Sequence, residues 1–207
     1  LTIAEKWTHA LKPSTRCRVV RSELKGVFDR GQISKKENCI WINSRYLPTN
    51  NLIQQINNLS TGQCIKDKGM IVAAKVDGAT SNEWINNGSP DFNTLFVIES
   101  NDYTAINNLW DLFQLNGNEI VRDIELMNPS QNNSSVDISE HAVLENREHI
   151  YIDEEASIEA GCVLNANKGP IYVGKNATIM AGAAIRGPVA ICEDAIVKLG
   201  ARIYGDT

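Results

Sequence analysis

Histidine is scarce in this chain of 207 residues: His9, His141 and His149 are the three present, and no two stand at metal-ligand spacing. The five cysteines, Cys17, Cys39, Cys64, Cys162 and Cys192, are odd in number and lack the paired spacing of a zinc site. They are expected as buried free thiols in a reducing, cytoplasmic setting. No window approaches eighteen uninterrupted apolar residues, which leaves no candidate transmembrane helix. An excess of basic residues is also missing. Twenty Lys and Arg face twenty-five Asp and Glu, and the net charge of −5 argues against nucleic acid or an anionic membrane surface as partner. There is no Gly-rich phosphate loop and no G-x-S-x-G. The isolated histidines are expected on the surface, and Trp7, Trp41 and Trp110 in the core.

What the chain does have is a period of six. Val173, Ile179, Ile185, Ile191, Val197 and Ile203 recur at every sixth position, and four residues after each of the first five comes a small or apolar one: Ala177, Ala183, Val189, Ala195, Ala201. Ile152, Ile158 and Leu164 keep the same step, with Ala156 and Cys162 at the small positions. Leu164 to Val173 is nine, so three residues are inserted within Asn165–Pro170. Six residues fit neither a helix nor a plain strand but do fit a parallel β-helix, three hexads to a coil. The Val/Ile position then points inward and the small position precedes a corner. Gly161, Gly174, Gly182, Gly200 and Gly205, with Asn176, Asp194 and Asp206, supply turn conformations. The chain starts at Leu1 in a helical run and stops at Thr207 with the repeat in step, so further residues are expected beyond both ends.

The first half reads as alternating helices and strands. Ile3, Trp7 and Leu11 stand at helical spacing before Pro13; Cys17–Val20 reads as a short strand, and Ser22 as the cap of a short helix through Val27. Cys39–Ile42 reads as a buried strand ending in the polar Asn43-Ser44-Arg45 loop, and Thr49 as the cap of a helix with Leu52, Ile53, Ile56 and Leu59 on one face. Residues 63–76 form a hairpin about Asp67-Lys68-Gly69. The Asn, Gly and Ser content of 77–93 indicates a loop, and Thr94–Glu99 a further buried strand. Ile106, Leu109, Trp110, Phe113, Gly117, Ile120, Val121 and Ile124 predict one helix of five turns. Such alternation implies an α/β domain with a mostly parallel sheet. The domains are 1–126, a linker over 127–150 whose part from Val136 to Ile150 fits neither pattern, and the β-helix over 151–207.

Three stretches carry a family resemblance: Leu1–Trp7, Asn107–Phe113, and Leu164–Pro170 followed by the repeat through Arg186-Gly187-Pro188. Through them the chain resembles the bifunctional N-acetylglucosamine-1-phosphate uridylyltransferase/glucosamine-1-phosphate acetyltransferase family, in particular a divergent sugar nucleotidyltransferase subfamily. The resemblance implies a nucleotidyltransferase-like α/β domain, incomplete here, followed by a left-handed parallel β-helix of hexapeptide repeats. It also implies a nucleoside triphosphate and a sugar 1-phosphate as substrates, Mg²⁺ as cofactor, acetyl-CoA as co-substrate and a homotrimer. Ile106-Asn107-Asn108-Leu109 matches the family's V-N-N-R run, which makes Asn107 the metal candidate; the alternative is an Asn that starts a helix. The family's acidic metal loop corresponds to Ile42–Pro48, where Asn43 stands in place of the acid, removing the charge that offsets a cation. Arg45 is a candidate for phosphate charge, or else a solvated arginine. Lys6 lies towards the phosphate side, or is a solvated helix residue. Acetyl-transfer residues are expected beyond Thr207. Arg186, Lys198 and Arg202 are candidates to face an acidic ligand, or else exposed side chains on the coils.

Overall fold

The computed structural model describes residues 1–20, 22–24, 26–27, 37–101, 103–129 and 136–207. The chain divides into two compact units, Leu1–Asn107 and Asn108–Thr207.

In the first unit, α1 (Ile3–Leu11) starts at a capping box: the Thr2 hydroxyl accepts from Glu5 N at 3.3 Å and the Glu5 carboxylate accepts from Thr2 N at 2.7 Å. Lys12, at a φ of 47°, ends it just before Pro13. The strand expected over Cys17–Val20 is reduced to a single bridge at Cys17, and only a 3-10 turn over Ser22–Leu24 stands where a helix to Val27 was expected; residue 25 and residues 28–36 lie outside the described ones. Then follow β1 (Cys39–Ile42), α2 (Asn50–Asn57), β2 (Gln63–Asp67), β3 (Met70–Val76), α3 (Gly78–Asn87) and β4 (Phe96–Glu99).

The sheet order is β1-β3-β2-β4, with β3 antiparallel to β1 and β2, and β4 parallel to β2. The sheet is thus mixed rather than mostly parallel, because the tight Lys68-Gly69 turn, both residues at positive φ, folds β3 straight back between β1 and β2. β1 and β4 are edge strands and not the buried ones expected: Ile40 is 38% and Phe96 68% exposed. β1, β2 and β4 nevertheless run the same way, and their carboxyl ends share one edge of the sheet. Ile42 packs with α1 and α2 on the cluster of Trp7, Tyr46, Leu52, Ile56 and Ile65. Trp41, pointing the other way, meets Trp84 of α3 edge-on at 5.3 Å and donates to Ser81 Oγ at 3.0 Å. α3 falls where a loop was expected. Its N-cap Asp77 accepts from Thr80 N at 2.8 Å and Gly88 closes it at a φ of 76°, so capping rather than an apolar stripe defines it.

In the second unit the five-turn helix resolves into a single turn, α4 (Asp111–Gln114), and α5 (Asn116–Met127). Asp111 accepts from Asn108 N at 2.8 Å, so helical structure begins after Leu109, and Leu109, Trp110 and Phe113 are exposed. Trp110 is therefore not a core residue. Residues 130–135, within the expected linker, lie outside the described ones.

The solenoid strands are β5 (Asp137–Ile138), β6 (Val143–Glu145), β7 (Ile150–Ile152), β8 (Ser157–Ile158), β9 (Val163–Asn165), β10 (Ile171–Val173), β11 (Thr178–Ile179), β12 (Ala184–Arg186), β13 (Val189–Ile191), β14 (Ile196–Val197) and β15 (Arg202–Ile203). They stack in parallel as three sheets, β7-β10-β13, β5-β8-β11-β14 and β6-β9-β12-β15. This is the β-helix that the period of six implies. It begins upstream of Tyr151: β5 and β6, in the stretch that fitted neither pattern, pair with β8 and β9. The inward column is buried as expected, with Ile179 at 0% and Ile158 and Ile185 at 2% exposure. Burial of each such side chain contributes about 1.5–3 kcal/mol.

Coil length varies. Ile138 pairs with Ile158, twenty residues on; Ile158 with Ile179, twenty-one on; Ile179 with Val197, eighteen on. The extra residues all sit at one corner, between β6 and β7 and between β9 and β10, the latter being the insertion read from the sequence. The other two corners keep their length. One holds Glu155, Asn176 and Asp194 and the other Gly161, Gly182 and Gly200, all at φ between 56° and 72°. Gly174 has a different role from the one expected. Its φ is ordinary, but a Cβ there would lie 2.7 Å from Glu193 N, so close coil packing requires it. α5 packs against β13, and Asn116 Nδ2 donates to the Asp206 carbonyl at 2.9 Å.

Candidate functional site

The carboxyl ends of β1, β2 and β4 gather the polar residues of the first unit. The register of β3 against β2 slips between Ile65 and Lys66, which leaves Val72 without a partner on β2. Its carbonyl accepts instead from Asn43 N at 2.9 Å, and the Ile71 carbonyl accepts from Asn43 Nδ2 at 2.9 Å. Asn43 Oδ1 in turn accepts from Arg45 N at 3.1 Å, an Asx turn. The Asn43 side chain is therefore engaged at both ends in shaping this turn.

The turn is also tied to the segment after β4. Tyr46 bridges Ala105, Ile106 N donates to the Arg45 carbonyl at 2.7 Å, and Leu47 N donates to the Thr104 carbonyl at 2.9 Å. The exposed Arg45 guanidinium reaches the Asn107 carbonyl at 3.4 Å, with Nη1 3.9 Å from Met70 Sδ. Three of the residues singled out in the sequence, Asn43, Arg45 and Asn107, thus meet in one place. Asn107 does not start a helix. Lys6 is 6% exposed and so is not a solvated helix residue; it precedes Trp7, whose indole N–H donates to the Tyr46 carbonyl at 3.0 Å.

Sequence reasoning missed a buried polar group behind this turn. Asp67, the last residue of β2, is 5% exposed, and its Oδ1 is buried with no hydrogen-bond partner; the hydroxyl of the fully buried Tyr46 is in the same state. The two groups lie near enough to act on each other without meeting hydrogen-bond geometry. Burial, and then Asp67, push the Tyr46 phenol above its ordinary range. Tyr103 packs edge-on to Tyr46 at 6.3 Å and donates to Gln55 Oε1 at 2.5 Å; burial raises its phenol too. The missed signal is the turn length: a two-residue Lys68-Gly69 connection makes Asp67 a strand residue rather than a turn residue.

A family model described as sugar nucleotidyl transferase matches residues 1–132. The chain belongs to that family. No curated protein matches it. As a sugar nucleotidyl transferase it has a nucleotide and a sugar phosphate as its substrate classes, and the matched span holds every candidate residue above. Among the described residues no three His, Cys, Asp or Glu side chains cluster as a metal site. Mg²⁺ needs only one or two carboxylates when phosphates and water complete its shell. Of the side chains at this sheet edge, Asn43 is engaged, whereas the Asp67 carboxylate has an oxygen without a partner, so the residues present fit such an ion.

The solenoid coils carry less chemistry. His141 is exposed beside Glu140 at 3.6 Å, and His149 is exposed. Arg202 Nη1 donates to the Gly182 and Gly200 carbonyls, both at 2.9 Å, tying two coils together; Arg186 and Lys198 are exposed. Cys162 is buried at a small position of the repeat, but Cys192 is exposed, contrary to the buried thiol expected. No helix among the described residues is long and apolar enough to cross a membrane.

Proposed function

We propose that this sugar nucleotidyl transferase joins a sugar 1-phosphate to a nucleoside triphosphate. An oxygen of the sugar phosphate attacks the α-phosphorus and forms a new P–O bond. The α–β bridging P–O bond breaks, and pyrophosphate leaves with the electron pair. The family match over residues 1–132 carries this reading. The meeting of Arg45 and Asn107 at the carboxyl ends of β1, β2 and β4 supports it, because open α/β sheets bind ligands at that edge. Arg45 holds phosphate oxygens through its forked donors, and the Asn43 turn fixes where the guanidinium stands. Lys6 and Asn107 complete the substrate-binding residues. Mg²⁺, when bound, neutralises phosphate charge as the bond changes hands.

The likeness to the bifunctional uridylyltransferase/acetyltransferase extends the proposal: the solenoid belongs to an acetyl-CoA-dependent transfer to an amino sugar, in nucleotide-sugar biosynthesis, within a homotrimer formed through flat β-helix faces. Pyrophosphate release from UTP, dTTP or GTP with a panel of sugar 1-phosphates and Mg²⁺ tests the first activity. No turnover and no thermal stabilisation by any pair would sink it. One observation favours a second reading, a non-catalytic module that binds sugar nucleotides: the family's acidic metal position is held by Asn43, whose amide is tied into the turn. Stabilisation by nucleotide sugars without turnover is its signature.

A further inference from the structure

We propose that Asp67 is the carboxylate that receives a divalent cation in this chain, in place of an acid in the Asn43–Leu47 turn. The inference rests on the nucleotidyl-transfer reading above.

Asp67 ends β2 at the sheet edge where β1 and β4 also end, one strand over from the Asn43 turn. It pairs across the hairpin with Met70, whose sulfur lies 3.9 Å from Arg45, so a phosphate-binding guanidinium stands close by. Its Oδ1 is buried without a hydrogen-bond partner, beside a Tyr46 hydroxyl in the same condition. Burying a carboxylate uncompensated is costly, and folded proteins keep such a group where a counter-ion or water completes it. The neighbouring turn offers no substitute, because both ends of the Asn43 amide are already hydrogen-bonded. A single carboxylate is enough for Mg²⁺ or Mn²⁺ when triphosphate and water supply the other oxygens.

The test is Mn²⁺ binding by the full chain, measured by calorimetry with and without a nucleoside triphosphate. Wild type is expected to bind Mn²⁺, and Asp67→Asn to weaken binding at least tenfold while melting at or above the metal-free wild-type temperature, since it removes an unpartnered buried charge. Wild-type affinity in Asp67→Asn, or no Mn²⁺ binding by wild type, overturns the proposal. A second measurement does not depend on that variant folding. In wild-type protein carrying 3-fluorotyrosine, the ¹⁹F resonance of Tyr46, assigned with Tyr46→Phe, is expected to broaden at substoichiometric Mn²⁺. A Tyr46 resonance that stays sharp at saturation overturns the proposal. The two readings fail separately. Mn²⁺ held at Asp67 with no turnover counts against nucleotidyl transfer alone, and Mg²⁺-dependent turnover that survives Asp67→Asn counts against the cation site alone.

Discussion

Trp7 donates its indole N–H to the main-chain carbonyl of Tyr46 over 3.0 Å, fastening α1 to the turn that carries Asn43 and Arg45. The bond is buried, so its loss leaves a carbonyl unsatisfied as well as reducing packing. Trp7→Phe is expected to lower stability by about 1–3 kcal/mol. Urea unfolding followed by far-UV circular dichroism measures this, and a shift below the error of the midpoint would show that the bond does not hold the helix.

Arg45 reaches Asn107 from the exposed side of the same turn. If it binds phosphate, Arg45→Ala reduces kcat/KM roughly ten- to hundredfold, the worth of a charge-assisted hydrogen bond. Arg45→Lys restores only part, because the forked donor geometry is lost. Steady-state pyrophosphate release with each variant decides, and full activity in Arg45→Ala would place phosphate elsewhere.

The solenoid's stability resides in its inward column. Ile179→Ala, at a site with no exposure, is expected to cost about 2–5 kcal/mol. Ile196→Ala, at a position 56% exposed on the same sheet, is expected to stay within about 0.5 kcal/mol. Thermal melts of the two variants side by side give the contrast, and equal effects would mean the column is not the core.

On the outward side of β10, the Tyr172 hydroxyl donates to Asp153 at 2.5 Å. Burial first, and that hydrogen bond second, raise its phenol far above the ordinary range. Unfolded tyrosine ionises near pH ~10, so above that pH the unfolded chain holds fewer protons than the folded one and stability falls as pH rises. The contribution is complete below pH ~10 and is lost above it. Tyr172→Phe is expected to cost about 1 kcal/mol at pH 8 and to flatten the alkaline decline. Urea midpoints at pH 8 and pH 11 for both proteins check the sign.

The β-helix was legible because inward stacking demands an unbroken period, and Val173 through Ile203 keep it. Its first coil was not, since residues added between Leu144 and Ile152 break the step of six although Ile138 and Leu144 still point inward. α3 escaped because Asp77 and Gly88 set its ends while its sequence has almost no apolar stripe. The opposite error arose at Leu109–Phe113, where apolar spacing suited a helix that Asp111 starts afresh. Sheet order stayed hidden because alternation of strand and helix says nothing of a hairpin folded between two strands. At the site, Asn43, Arg45 and Asn107 were legible through a family pattern. Asp67 was not, because its burial depends on a register slip at Ile65 and Lys66 that no local propensity encodes.

The unequal coils make two corners of the solenoid a fixed gauge and the third a free margin. Stacking is set by the two corners of constant length, so residues can be added between β6 and β7 or between β9 and β10 without displacing a single inward side chain. Evolution can therefore rewrite that ridge, coil by coil, while the prism beneath it stays the same.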